Sequence, residues 1–172
     1  MVEKIPQRLR WAVERLRLSG DEAILEIGCG RGVAVSLICP LLRSGMIAAI
    51  DRSATAIEAA AERNAAFVAE GKASFHQAAI EDFEGKPGAF DIVFAVNVNL
   101  FWLEAERGLA SVRRLLAKGG KLFLFYEPPS PAQRDKVARQ LAERLSANGF
   151  EIVAHEADSG AAGLLGVTAR PA

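Results

Sequence analysis

The stretch Ile24-Leu25-Glu26-Ile27-Gly28-Cys29-Gly30-Arg31-Gly32 decides the fold. Its first half is a short apolar run, as a buried strand requires. Its second half sets three glycines at alternate positions. There the chain must turn, and a ligand can lie against backbone that carries no Cβ. Residues 32–38 then look helical, so the whole reads as strand, tight turn, helix. The spacing narrows the ligand. A dinucleotide fingerprint, G-x-G-x-x-G, needs its third glycine at position 33, which is Val33. The pattern is instead G-x-G-x-G, preceded in the strand by an acid, Glu26. Pyrophosphate favours the amide donors of a helix N-terminus; an acid near the turn suits a ligand with a cationic part.

Working outward, helical and strand-like segments alternate. Before the stretch, Leu9, Val13 and Leu16 predict a helix over 7–18, stopped by Ser19-Gly20. After it, Pro40 predicts a kink or stop near Cys39. Met46 to Ile50 is a second strand closing on Asp51. Ser53 or Thr55 caps an Ala-rich helix that runs to Gly71, and Thr55 with Glu58 makes a capping box. Ala73–Ala78, Phe90–Val96 and Lys121–Tyr126 are further strands, with a helix over 105–117 ended by Gly119-Gly120. Ser130 as N-cap and Pro131 at the first helical position start a helix whose buried face is Val137, Leu141 and Leu145. The last two strands, Phe150–Ala154 and Leu164–Ala169, are joined by too short a loop for a crossover helix, so they are antiparallel. Five strands separated by helices imply a parallel sheet covered on both faces. Ligands of such sheets bind beyond the carboxyl ends of the strands, near a topological switch point.

Composition agrees. The chain has 172 residues, with 21 Lys plus Arg against 21 Asp plus Glu and 51% apolar residues. That length predicts one domain spanning 1–172, with its N-terminal helix within residues 1–20. Zero net charge speaks against a dominant nucleic-acid field, and two cysteines against a disulfide scaffold. No window approaches ~18 unbroken apolar residues, so no membrane span is expected. The charged N-terminus lacks the apolar core of a secretory signal. The expectation is a soluble, cytoplasmic protein.

Four motifs in order carry a resemblance. Glu26 to Gly32, Ile50-Asp51-Arg52-Ser53, Phe90-Asp91-Ile92-Val93, and Leu115-Leu116-Ala117-Lys118-Gly119-Gly120-Lys121-Leu122 resemble the corresponding motifs of class I S-adenosylmethionine-dependent methyltransferases, particularly the small single-domain ones. The likeness runs from about Asp21 to Phe125. It implies a three-layer α/β sandwich on a mostly parallel seven-stranded sheet in the order 3-2-1-4-5-7-6, strand seven antiparallel. It also implies S-adenosylmethionine as cofactor and S-adenosylhomocysteine as product. Residue by residue, it places Gly28, Cys29, Gly30 and Gly32 in the loop under the methionine part. Glu26 orients that loop or meets the amino group through it. Asp51 takes the ribose hydroxyls, with Arg52 beside the adenine; Ile80 and Glu81 present a backbone N–H to the adenine ring. Asn97 approaches the methionine part through its carbonyl. Trp11 either covers the cofactor or packs in the core.

Two features depart from relatives. The position that often carries an acid for the adenine amino group is Ala79, which cannot accept. Glu81 or Asp82 substitutes if the turn is shifted; otherwise one hydrogen bond is lost, about 0.5–1.5 kcal/mol. The chain also shows no insertion that would cap the substrate.

Methyl transfer from a sulfonium needs alignment and exclusion of water more than a dedicated base. No catalytic residue is therefore assigned; Glu127 is the candidate base by position, and a solvated loop carboxylate is the ordinary alternative. Asn99, Trp102 and Glu127 are the candidate acceptor-binding residues. An N-P-P-Y pattern is absent after strand four, where Asn97 is followed by Val98-Asn99-Leu100, so methylation of DNA amines is disfavoured. A small-molecule acceptor is expected, with protein or RNA, or a non-catalytic partner role, as alternatives. His76 and His155 have no partner spacing, so no metal site is expected.

Overall fold

In a computed structural model of the chain, which describes residues 5–99, 105–158 and 163–172, the apolar runs become the strands of one sheet. Along the chain come α1 (Gln7–Leu16), β1 (Ala23–Ile27), α2 (Val33–Ile38), β2 (Met46–Asp51), α3 (Ala54–Arg63), α4 (Ala65–Ala69) and β3 (Ala73–Gln77). They are followed by β4 (Phe90–Val96), α5 (Ala105–Leu115), β5 (Leu116–Tyr126), α6 (Pro131–Ala147), β6 (Phe150–Ala157) and β7 (Leu165–Pro171). Single 3₁₀ turns lie at Cys39–Leu41 and Ile80–Asp82. The sheet has seven strands in the order β3-β2-β1-β4-β5-β7-β6. β1 pairs parallel with β2 and β4, while β7 runs antiparallel to both β5 and β6. The expected architecture and the antiparallel closing strand are both present.

Alternation along the strands splits the core into two layers. Ile24 of β1 faces the layer of Trp11, Val35, Ile38 and Phe94, whereas Leu25 faces that of Val93, Leu109, Val112 and Leu141. Both faces of β1 are thus buried, which explains its unbroken apolar run. β1 sits where the strand order reverses, so the carboxyl ends of β1, β2 and β4 open on a shared crevice.

Several local expectations are corrected. α1 ends at Leu16, on Arg17 in a left-handed conformation (φ 50°), before Ser19-Gly20 is reached. The cap of α3 is Ser53, whose Oγ accepts from the Ala56 N–H at 3.2 Å; Thr55 lies inside the helix, so there is no capping box at Thr55. The Ala-rich helix breaks at Asn64 into α3 and α4. Ser130 occupies the cap position of α6 without accepting a hydrogen bond there. The turn around Gly119, at φ 81°, lies within β5, where the register to β4 shifts between Phe90 and Ile92. β6 extends beyond Ala154 to Ala157. No helix among the described residues is long and apolar enough to cross a membrane.

Candidate active site

The glycine loop hangs from β2. The N–H groups of Gly28 and Cys29 both donate to the Ile50 carbonyl, at 2.8 and 3.0 Å. The Gly30 N–H donates to Asp51 Oδ2 at 2.9 Å, and the Ser53 N–H donates to Asp51 Oδ1 at 2.9 Å. One carboxylate therefore joins the loop to the start of α3. Each of its oxygens keeps a further lone pair.

Two of the loop's glycines differ in why glycine is needed. Gly32 (φ 71°) is walled in, since a Cβ there would stand 2.7 Å from Asn64 Nδ2 and 2.9 Å from Ala60 Cβ. Gly30 (φ 52°) has nothing within 4 Å of the place a Cβ would occupy. Its constraint is the left-handed backbone and the open space above it.

That space adjoins a cleft of about 170 Å³. It is lined by Ile27, Gly28, Ile50, Asp51, Arg52, Ala78, Ala79, Ile80 and Val98. Of the predicted cofactor residues, Gly28, Asp51, Arg52 and Ile80 line this cleft. Glu26 lies behind the loop, 3% exposed, and its Oε2 has no hydrogen-bond partner. Burial, and then the Asp51 charge, pushes its carboxyl up to about 8. Cys29 is buried, and burial raises its thiol well above the usual range, so it acts as a small apolar residue rather than a nucleophile.

The Ile80 turn carries Glu81, one of the two acids expected as substitutes for Ala79. The Glu81 side chain is only 4% exposed, and neither oxygen has a hydrogen-bond partner; the Arg52 guanidinium stands 3.5 Å away. Glu81, Asp82, Arg52, Gln77 and Arg107 line a polar recess that shares Ala78, Ala79 and Arg52 with the cleft. A buried carboxylate that makes an ion pair with Arg52 but accepts no hydrogen bond thus stands next to Ala79.

Asn97 falls elsewhere. It is exposed, adopts φ 54°, and its Oδ1 accepts the Glu127 N–H at 2.7 Å. Asn97 lines a second, larger cavity of about 480 Å³ beyond β4 and β5, with Asn99, Tyr126, Glu127, Pro128, Pro129, Val137 and Gln140. This brings together Asn99 and Glu127, two of the three residues expected at the acceptor. The third, Trp102, lies outside the described residues, as does Phe101. Between cleft and cavity stands Val98, whose carbonyl accepts from the Tyr126 hydroxyl at 3.3 Å. Burial drives the Tyr126 phenol above its usual range, so it remains a neutral donor.

Trp11 does not line the cleft. It is core, edge-on to Phe125 at 5.8 Å, with the Arg15 guanidinium 4.0 Å from its ring centroid. α1 instead reaches the acceptor side through Arg8, which pairs with Glu127 at 3.2 Å.

A residue that sequence reading missed is Asn64. It is 1% exposed. Its Nδ2 donates to the carbonyls of Gly32 and Ala60 at 3.0 and 2.9 Å, and its Oδ1 accepts from Ser36 Oγ at 2.9 Å. It locks the glycine loop to α3. The one signal was a short polar side chain interrupting an Ala-rich helix.

The cleft suits a nucleoside. Ile50 and Ile80 give it apolar walls, and each Asp51 oxygen keeps a free lone pair beside it. Comparison with known proteins gives the family. Residues 24–120 match the family described as methyltransferase domain. An uncharacterized Synechococcus protein is 33% identical over 120 residues, 70% of this chain and 29% of that one. An uncharacterized methyltransferase of Bacillus subtilis is 27% identical over 146 residues, 83% of this chain and 78% of that one. A trans-aconitate 2-methyltransferase of Acidovorax ebreus is 31% identical over 169 residues, 95% of this chain and 60% of that one. The chain therefore spans less than two thirds of two of these three relatives. Among solved structures, the [4+2]-cyclase SpnF superposes with a TM-score of 0.78 at 21% identity, covering 95% of this chain and 80% of that one. A geranyl diphosphate C-methyltransferase from Streptomyces coelicolor, in complex with Mg²⁺, geranyl diphosphate and S-adenosylhomocysteine, gives 0.75 at 10%, covering 96% and 78%.

Proposed function

The chain belongs to the methyltransferase-domain family that residues 24–120 match, and from that premise we propose that it seats its cofactor, S-adenosylmethionine, in the cleft of the glycine loop and methylates a small molecule held in the cavity beyond β4 and β5. The observation that carries the reading is Asp51: one carboxylate at the cleft holds the loop through Gly30 and keeps lone pairs for a sugar.

The cofactor supplies a methyl group on a positively charged sulfur, which makes a good leaving group. The chain's own residues bind and orient. Gly28 and Gly30 give a backbone floor to the methionine part. Glu26 holds buried acidity behind that floor. Asp51 takes the ribose hydroxyls, and Ile50 and Ile80 sandwich the adenine, with Arg52 at its edge. Glu81 takes the role that Ala79 cannot fill: its buried oxygens, without donors of their own, accept from the adenine amino group. Val98 separates the two compartments and keeps water from the line of transfer. Glu127 is the group placed to take a proton from an acceptor.

A cavity of about 480 Å³ matches the size range of small-ligand sites. Two relatives are named for small acceptors, geranyl diphosphate and trans-aconitate. The cyclase neighbour shows that the fold also hosts other chemistry, so turnover must be measured and not assumed. The test is calorimetric titration with S-adenosylhomocysteine, followed by an acceptor screen that reads its release from S-adenosylmethionine. Stoichiometric binding that Asp51→Ala abolishes, with methyl transfer to at least one small acceptor, is expected. No heat with this ligand, and binding of NADH instead, would overturn it.

A further inference from the structure

We infer that the cavity beyond β4 and β5 selects an amine carried on an apolar body and turns away carboxylates and phosphates, an inference that rests on the methyltransferase reading above. The argument is one of charge. Among the described residues that line the cavity, Glu127 supplies the one carboxylate, and no Lys or Arg is present. Pro128, Pro129 and Val137 give it an apolar floor, and Asn99 and Gln140 are neutral. Tyr126 keeps its proton and already donates it to the Val98 carbonyl.

Arg144 and Arg8 act on lining groups of the cavity, and neither offers an anion a site within it. Arg144 acts on the Tyr126 phenol from α6 and is not a lining residue. Arg8 is paired with Glu127 Oε2 at 3.2 Å. An anionic acceptor would have to draw Arg8 away and then lie against the carboxylate it had exposed, where like charges repel. An amine N–H joins Glu127 without breaking that pair, because a carboxylate accepts several hydrogen bonds. The apolar floor then holds the rest of the molecule. Glu127 is fixed for this task from its own backbone, since its N–H is held by Asn97 Oδ1 at 2.7 Å.

The test uses the full chain saturated with S-adenosylhomocysteine and two matched pairs of probes, tryptamine against indole-3-propanoate and 2-phenylethylamine against 3-phenylpropanoate. Affinities are read by ligand-observed NMR. The amines are expected to bind roughly tenfold or more tighter than their carboxylate partners, the worth of a charge-assisted hydrogen bond. Glu127→Gln should bring each pair close to equality, and Arg8→Ala, which leaves the carboxylate unpaired, should widen the gap. Equal or stronger binding of the carboxylates, absence of binding by either amine, or a preference that survives Glu127→Gln would overturn the inference. S-adenosylhomocysteine is titrated first into the same sample. Its failure to bind marks failure of the methyltransferase reading, whereas its binding without an amine preference marks failure of this inference alone.

Discussion

The cleft beyond β1 and β2 is held by backbone, and the cavity beyond β4 and β5 by side chains. In the cleft, N–H groups of Gly28, Cys29 and Gly30 hang on the Ile50 carbonyl and the Asp51 carboxylate. The surrounding strands are buried on both faces, so the loop has no slack. In the cavity, the decisive contacts are Arg8 to Glu127, Asn97 Oδ1 to the Glu127 N–H, and the Tyr126 hydroxyl to the Val98 carbonyl. Arg8 and Glu127 are each 38% exposed. Exposed ion pairs contribute little stability. The contrast gives the proposal its division of labour: a cofactor seated by geometry that the fold itself enforces, and an acceptor chosen by groups that can be exchanged without refolding the chain.

The largest effect expected from breaking this contrast is at Gly30. Valine there must hold φ near +52° and would push its branches into the open space over the cleft. Gly30→Val should weaken S-adenosylhomocysteine by about a hundredfold or more, equivalent to roughly 3 kcal/mol. Titration calorimetry reads the affinity, and circular dichroism checks that the sheet remains. Glu127→Gln, on the other side, should leave that affinity within about twofold. If both changes weakened cofactor binding alike, the division between the two compartments would be wrong.

Glu26 comes next, through pH. Its carboxyl titrates near 8 in the folded chain against an ordinary 4.5, with burial the leading cause. Between those values the folded state holds a proton that the unfolded state has released. Stability therefore falls as pH rises through that window and levels off above about 8. Glu26→Gln removes the titration. Denaturant melts of the cofactor-free protein at pH 5 and pH 8 should show wild type losing on the order of a few kcal/mol relative to the glutamine variant. Equal slopes for the two proteins would mean that Glu26 is charged and solvated.

The same contrast explains what the sequence makes legible. Fold class could be read because buried strands leave apolar runs and crossovers leave helical periodicity, whereas the strand order was implied only by the resemblance that the four motifs carry. The closing antiparallel pair was visible in a loop too short for a helix. The glycine loop and Asp51 were visible because positive φ favours glycine and because an acid closing the second strand stands at a recognisable distance from the turn. Asn64 was not visible: a buried, fully bonded asparagine looks in sequence like a helix interruption, and its partners Gly32 and Ser36 lie about thirty residues away. Nor was the pair of Arg8 with Glu127, which spans 119 positions. The Asn97 side chain was not legible either: the expectation concerned its carbonyl, and the left-handed backbone lets Oδ1 accept the Glu127 N–H just past β5. Trp11, open between cofactor cover and core, is core because Phe125 and Arg15 occupy its two sides.

Asn64 gives an intermediate effect on the backbone-held side. Asn64→Ala leaves the Gly32 carbonyl without the Asn64 donor and removes the acceptor for Ser36 Oγ. Chemical denaturation should report a loss of about 1–3 kcal/mol, the summed worth of the buried hydrogen bonds removed, since the Gly32 carbonyl keeps the Ser36 N–H and hydroxyl as donors. Cofactor affinity should fall as well, because the loop loses its tie to α3. A stability loss with unchanged affinity would show that Asp51 alone fixes the loop.

The smallest effect separates two candidates for one cap. Ser53 Oγ accepts the Ala56 N–H, and the Ser53 N–H donates to Asp51, so this residue starts α3 and braces the Asp51 carboxylate at once. Ser53→Ala keeps the backbone bond to Asp51 and removes only the cap. It should cost about 1 kcal/mol in thermal or denaturant unfolding and leave S-adenosylhomocysteine binding nearly intact. Thr55 is exposed inside the helix, so Thr55→Ala should change stability by less than about 0.5 kcal/mol. The reverse order of the two costs would restore Thr55 and Glu58 as the capping pair. It would also move the helix start two residues away from Asp51, leaving the carboxylate held by the glycine loop alone.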